Sequence, residues 1–157
     1  MERVYAIMKH PLFDDALKKI AMNEAAAIFC KHDLDHFLAV ARIAHILCME
    51  DGFDAEKDII YAAALLHDTG RWRQYEDGTP HEEASARIAR AILPECGFDI
   101  FESALIIDAI LSHRSDSEEK PGFSGYLYRA DKLSRLCFDC AASEACNWEI
   151  KNTQLTY

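Results

Sequence analysis

Several histidines and aspartates lie in segments whose other residues have the spacing of an apolar helix face. They are His36, the adjacent pair His67 and Asp68, His81, His113 and Asp131. Burying an imidazole or a carboxylate is unfavourable unless the group is paired or binds a metal. We therefore expect these side chains to meet in one site. Imidazole and carboxylate ligands together suit Mn, Fe, Co, Ni, Zn or Mg, and the ligand types do not select among these ions.

The elements that must position these residues are helices, because the sequence has no sustained alternation of apolar and polar residues. We predict an all-α fold. The predicted helices cover 12–31, 35–50, 55–68, 81–93, 99–113 and 124–139. His36 shares one face with Val40 and Ile43, so it should point into the core. We interpret 71–80 as a polar loop, and 115–122 as a second loop at the surface.

Length and composition limit the classes of function. A chain of 157 residues, half of them hydrophobic, predicts a single domain over 1–157. The formal net charge of −10 disfavours binding to nucleic acids or to anionic membranes. The six cysteines are expected to be reduced. Because the sequence has neither a secretory leader nor an apolar run of about 18 residues, we expect a cytoplasmic protein.

The order and context of the histidines and aspartates resemble a known family. His67 and Asp68 close an apolar helix in the context AALLHDTGR, and Asp131 lies in YRADKLSR downstream. With His36 upstream, this order is similar to the HD superfamily of metal-dependent phosphohydrolases, which has an all-helical fold. The resemblance covers about 33–138, and leaves an N-terminal helix and a Cys-rich C-terminal tail outside it.

The resemblance implies a role for each candidate ligand. Four residues match the ligands of a first divalent cation: His36, His67, Asp68 and Asp131. His81 and His113 match two histidines that hold a second ion in some HD subgroups, with Asp68 bridging the two ions and therefore central to catalysis. In members with one metal, the same two positions can bind the phosphate of the substrate. The sequence therefore leaves open one or two ions. His10, His32 and His45 match no family position, and we interpret them as ordinary surface or packing residues.

Charged residues close to the candidate ligands could contact substrate. Arg71 occupies the family's Gly-Arg position, and a guanidinium group can bind two phosphate oxygens. Lys132 and Arg135 flank Asp131 and could bind phosphate as well. For all three, solvated charge on a helix surface is an equally good interpretation. Glu76 and Asp77 could supply a general acid or base, as loop carboxylates do in some HD hydrolases.

The C-terminal tail carries a second candidate metal site. Cys137, Cys140 and Cys146 form a C-x2-C-x5-C pattern, and C-x2-C pairs can hold zinc or an iron–sulfur cluster. A fourth ligand, such as Cys96 or a histidine, would have to come from elsewhere in the chain. The alternative is that these cysteines are small hydrophobic core residues.

The sequence thus predicts a phosphohydrolase with one or two divalent ions. Its expected substrate is a small, nucleotide-like phosphoester or phosphoanhydride, selected by residues 71–80 and 114–123. One alternative is a non-catalytic HD module that senses nucleotides or metals. A second is oxygen chemistry at a di-iron site. The oligomeric state is left open, and a homodimer is compatible with the sequence.

Overall fold

The computed structural model of the chain is built from helices. It describes residues 1–113, 122–146 and 156–157. Within these ranges the α-helices are α1 (Glu2–Lys9), α2 (Pro11–Asn23), α3 (Leu34–Glu50), α4 (Lys57–Leu66), α5 (Arg71–Asp77), α6 (His81–Glu95), α7 (Ile100–Ser112) and α8 (Phe123–Leu133). A short 3-10 turn follows at Cys137–Asp139. The prediction of an all-α fold is confirmed.

Helix α4 lies at the centre of the molecule. From Ile59 to Leu66 all its residues except Tyr61 are buried, and α1, α3, α6, α7 and α8 pack around it. Three consecutive alanines, 62–64, allow these neighbours to approach closely. A helix that is apolar on nearly all sides has to be surrounded in this way. Because α4 is central, the His67-Asp68 pair at its end lies inside the molecule.

The N-terminal part differs from the predicted helix over 12–31. An additional helix, α1, precedes it, and α2 ends at Asn23. Pro11 starts α2, where the missing N–H costs nothing. The Ala-rich sequence after Asn23 favours further helix, but the buried carboxylate of Glu24 instead accepts a hydrogen bond from the backbone N–H of His32 at 2.8 Å. A tertiary contact therefore overrides the local helix propensity.

The segment 71–80 was predicted as a loop and is largely the helix α5. Trp72 anchors it in the core, and Gly78 ends it with a left-handed φ of 77°. Helix α8 is shorter than predicted and ends at Leu133, and at its C-cap the Ser134 hydroxyl donates to the carbonyl of Asp131 at 2.8 Å. Of the surface loop predicted over 115–122, residues 115–121 lie outside the described residues. Across the parts of the chain that the structure covers, no helix combines the length and apolarity needed to cross a bilayer.

Candidate metal centre

Most of the candidate ligands sit at the ends of helices. His36 lies in the first turn of α3, where its N–H donates to the capping carboxylate of Asp33 at 3.0 Å. His67 and Asp68 follow the last residue of α4, and His81 begins α6 directly after Pro80. His113 directly follows α7, and Asp131 lies in the last turn of α8. Helix ends leave these side chains free to turn toward one another.

The structure brings all six candidates together in two groups. The first group is His36, His67, Asp68 and Asp131, and the second is Asp68, His81 and His113. Within each group, one potential ligand atom per residue lies within 4.8 Å of every other. All six are buried except His36, which is partly exposed. Asp68 belongs to both groups, as a bridging carboxylate would.

The two oxygens of Asp68 face different groups. Its Oδ2 lies 3.3 Å from Nε2 of His67. Its Oδ1 lies 3.2 Å from Nε2 of His81 and 3.5 Å from Nε2 of His113. In the first group, Oδ1 of Asp131 lies 3.5 Å from Nε2 of His36. Every imidazole thus presents its Nε2 atom toward a carboxylate.

The other ring nitrogen, Nδ1, fixes the tautomer of these histidines. The Nδ1 atom of His67 donates to the carbonyl of Ala64 at 2.7 Å, and that of His113 donates to the carbonyl of Ile110 at 2.5 Å. A proton on Nδ1 leaves Nε2 with a free electron pair directed into the cluster. This arrangement is typical of metal-binding histidines.

His36 follows the same scheme with a side-chain partner. The Ser134 hydroxyl uses its proton on the carbonyl of Asp131, so its oxygen accepts from Nδ1 of His36 at 3.3 Å. Nδ1 of His81 has two neighbours, Oε1 of Gln74 at 2.6 Å and Nη1 of Arg71 at 3.1 Å. The Nε2 atoms of His81 and His113 lie 3.1 Å apart, close enough for both to bind the same cation.

The cluster therefore fits divalent cations. Among the described residues, Nε2 of His36, Nε2 of His67 and Oδ1 of Asp68 are buried without a hydrogen-bond partner. Such orphaned atoms are rare in proteins because each one loses its contacts with water. A metal ion would supply the missing partner. His36, His67, Asp68 and Asp131 would hold one ion, and Asp68, His81 and His113 would hold another.

The electrostatics keep the carboxylates in the form that binds metal. Burial alone would raise the pKa of Asp68, but the imidazoles around it hold that pKa well below its usual range. Burial also opposes ionisation of Asp131, and contacts with His36, Arg135 and Lys132 keep its pKa low. Burial lowers the pKa of His36. The carboxylates of Asp68 and Asp131 in turn raise the pKa of the buried His67 against the opposing effect of its burial. Metal binding requires anionic carboxylates and neutral imidazoles, so a bound cation would displace any proton that His67 holds.

His32 also lies at the cluster, although the sequence analysis treated it as an ordinary residue. It is buried, and its Nε2 atom lies 3.6 Å from Oδ2 of Asp68. Its Nδ1 atom lies 2.5 Å from Oε1 of Glu24, which also accepts from the hydroxyl of Tyr75 at 2.7 Å. The sequence offered one signal for His32: it precedes the candidate ligand His36 by four residues, a spacing that can place two side chains side by side. Glu24 could not be found from the sequence, because only the tertiary fold brings it to His32.

The charged residues near the ligands have different surroundings. Nζ of Lys132 and Nη2 of Arg135 contact Asp131 at 2.8 and 3.3 Å, so both are partners of a candidate ligand and not merely solvated charge. Nη1 of Arg71 lies 3.1 Å from Nδ1 of His81. Binding of substrate by these three residues stays a prediction.

The structure does not bring Glu76 and Asp77 to the cluster. Both are exposed on α5 and not in a loop. Asp77 accepts hydrogen bonds from Arg73 at 3.1 Å and from the backbone N–H of Thr79 at 3.0 Å. A general acid or base at either position stays a prediction.

Comparison with known proteins places most of the chain in one family. A family model of the HD domain matches residues 33–136. A solved structure, a predicted HD superfamily hydrolase from an uncultured Thermotogales bacterium, aligns with a TM-score of 0.61 and 30% identity. The alignment covers 78% of this chain and 63% of that one.

The relatives in sequence are of two kinds. An uncharacterized protein of Clostridium beijerinckii is 42% identical over an alignment of 159 positions that covers 100% of both chains. Ribonuclease Y of Enterococcus faecalis is 28% identical over 85% of this chain, and ribonuclease Y of Mycoplasma mycoides is 33% identical over 76% of it. The chain spans only 24% and 26% of the length of these two ribonucleases.

Proposed function

The chain belongs to the HD-domain family, and from this premise we propose that it hydrolyses a phosphoester or phosphoanhydride bond in a small, nucleotide-like substrate, with two divalent ions as cofactors. The observation that carries the proposal is the position of Asp68, whose two oxygens face two buried ligand groups. A carboxylate shared in this way is suited to holding two cations side by side. Two adjacent cations suit in-line displacement at phosphorus.

Bound divalent cations would supply Lewis-acid activation of water and of the phosphoryl oxygens. The residues of the chain then have separate tasks. The hydrogen bonds at Nδ1 of the histidines hold each ring in the orientation in which Nε2 faces the cluster. Lys132 and Arg135 keep Asp131 anionic. These contacts preorganise the ligands, so little reorganisation is needed during the reaction.

Arg71 is the best-placed residue to bind the substrate phosphate. Its Nη1 atom lies beside His81, at the edge of the second ligand group. Its Nε atom donates to the hydroxyl of Tyr75 at 3.3 Å, which restrains the guanidinium. A restrained guanidinium can donate two parallel hydrogen bonds to a phosphate. We assign Arg71 to substrate binding for this reason.

The charge of the protein supports a small substrate over a polymer. A net charge of −10 repels polyanions at long range. The cations and Arg71 attract a phosphate only at short range. The similarity to ribonuclease Y makes RNA the alternative substrate to be tested.

The test is a hydrolysis screen with the purified chain. Nucleoside triphosphates, a dinucleoside polyphosphate, a generic phosphodiester and a short RNA are each incubated with Mn, Fe, Co, Ni, Zn or Mg. We expect hydrolysis of a nucleotide that a chelator abolishes and added metal restores. The variant Asp68→Asn should be inactive, and Asp14→Asn, which alters an exposed carboxylate on α2, should match the wild type. Metal binding without hydrolysis of any substrate would favour the sensing module, and cleavage of RNA alone would contradict the small-substrate proposal.

A further inference from the structure

Four of the six cysteines line one small cavity outside the His/Asp cluster. They are Cys30, Cys137, Cys140 and Cys146, and Phe29 and Ser143 complete the lining. The sequence analysis had expected a fourth ligand from Cys96 or a histidine. Cys96 is instead buried in the main core. The fourth thiol comes from Cys30, which the fold brings next to a segment more than a hundred residues further along the chain.

Turns in the C-terminal segment direct three of the thiols to the same cavity. The N–H of Cys140 donates to the carbonyl of Cys137 at 3.4 Å, and the N–H of Ser143 donates to the carbonyl of Cys140 at 3.0 Å. These successive turns reverse the chain between the cysteines. A C-x2-C pair within tight turns is a common arrangement at zinc sites.

The four cysteines are not core residues. Cys48 and Cys96 are core residues, with exposures of 2% and 7%. By contrast, Cys30 is exposed and the other three are partly exposed. The whole segment from 134 to 146 contains no buried residue. Because this segment buries little apolar surface, packing alone holds it weakly against the rest of the protein. Segments of this kind are commonly held in place by a disulfide or a structural metal.

The cavity suits a single ion. Its volume is about 20 Å³, which is room for one water-sized atom. Four thiolates around one ion select zinc among the common divalent metals. The sulfur atoms around the cavity are further apart than the ligand atoms within each His/Asp group, which lie within 4.8 Å of one another. Binding would therefore draw these side chains inward.

We propose that Cys30, Cys137, Cys140 and Cys146 bind one structural zinc ion that ties the C-terminal segment to the segment preceding α3. The site also connects to the His/Asp cluster. The guanidinium of Arg135 hydrogen-bonds the Cys30 thiol and contacts Oδ1 of Asp131 at 3.3 Å. The zinc ion would in turn hold Arg135 in position against Asp131.

Elemental analysis of the full chain tests the proposal. The protein is purified under reducing conditions in zinc-containing medium as Asp68→Asn, alone and combined with Cys30→Ser, Cys140→Ser or Cys96→Ala. We expect one tightly bound zinc in Asp68→Asn and after the added Cys96→Ala, and none after the added Cys30→Ser or Cys140→Ser. Because Asp68→Asn disables the His/Asp cluster in every sample, failure of the proposed function would leave this result unchanged. Equal zinc content in Asp68→Asn with and without Cys30→Ser would overturn the assignment, as would iron with acid-labile sulfide.

X-ray absorption of the zinc in the Asp68→Asn protein keeps the proposal testable if the cysteine variants do not fold. Four sulfur neighbours at about 2.3 Å are expected. A shell made mainly of nitrogen or oxygen would contradict the site. Mass spectrometry of the native protein that found a disulfide among the four cysteines would contradict it as well.

Discussion

Replacing Gly70 with alanine should push α6 away from the short connection between α4 and α5, which contains Asp68. Gly70 lies two residues after Asp68, and its N–H donates to the hydroxyl of Ser85 at 2.8 Å. A Cβ atom at this position would lie 2.3 Å from the backbone nitrogen of Ser85 and 2.5 Å from Cβ of Ala84. Ordinary contact begins at 3.4 Å, so α6 must move by about 1 Å. The φ of Gly70, −86°, suits alanine, so the cost comes from the clash alone.

The magnitude follows from two contributions. Overpacking of this kind costs about 1–3 kcal/mol, and loss of the hydrogen bond to Ser85 adds about 1 kcal/mol. A destabilisation of about 2–4 kcal/mol lowers the Tm of a chain of this size by roughly 4–16 °C. His81 begins α6, so its displacement should weaken the second ligand group. The first group includes no residue of α6 and should keep its ion.

Thermal denaturation and metal analysis of the same preparation measure both effects. Gly52→Ala is the matched control, because Gly52 has a φ of 65° and no atom within 4 Å of an added Cβ. It should cost only about 1–2 kcal/mol, through backbone strain. Ser85→Ala removes the hydrogen bond without the clash. If Gly70→Ala were as stable as Gly52→Ala and bound as many ions as wild type, the described packing of α6 would be refuted.

The other predictions concern the ligands, acid, a buried thiol and salt. His81→Ala or His113→Ala should lower the number of bound Mn²⁺ ions from about two to about one, and a ratio of two in both variants would exclude them as ligands of the second ion. The low pKa values of Asp68 and Asp131 stabilise the folded metal-free protein above the unfolded value of about 3.9, so unfolding by urea in EDTA should become easier as the pH falls below about 5. An equally strong acid dependence after Asp68→Asn would contradict this. Burial raises the pKa of Cys48 to about 11, and in metal-free protein a thiol reagent should modify it far more slowly than Cys30; equal rates would contradict its burial. Between low and physiological salt the KM for substrate should change only a few fold, whereas steep salt dependence with tight nucleic-acid binding would show a polymer substrate.

The sequence allowed the central part of the fold and the candidate ligands to be predicted. Helices α3, α4, α6 and α7 follow from apolar periodicity and clear stop signals, and the structure places each within a few residues of its prediction. The ligands could be found because imidazole and carboxylate groups on apolar faces are unusual. Both signals are local, so one sequence is enough to reveal them.

The remaining features depend on contacts between distant parts of the chain. The alanines after Asn23 favour a longer helix α2, but the pairing of Glu24 with His32 stabilises a different backbone conformation there. Helix α5 is polar along most of its length, and burial of Trp72 stabilises it. Cys30 has no cysteine close to it in sequence, so only the fold associates it with the C-terminal thiols. In each case the decisive interaction forms with the tertiary structure and leaves no periodic pattern.

The most direct test of the two-ion centre is equilibrium dialysis of the metal-free protein against Mn²⁺. Mn²⁺ prefers oxygen and nitrogen ligands to thiolates, so it reports on the His/Asp cluster. Asp68→Asn keeps the shape of the side chain and removes its charge from both groups. We predict about two bound ions in wild type and in Asp14→Asn, and fewer than one in Asp68→Asn. Two ions bound by Asp68→Asn with wild-type affinity would contradict a centre bridged by Asp68.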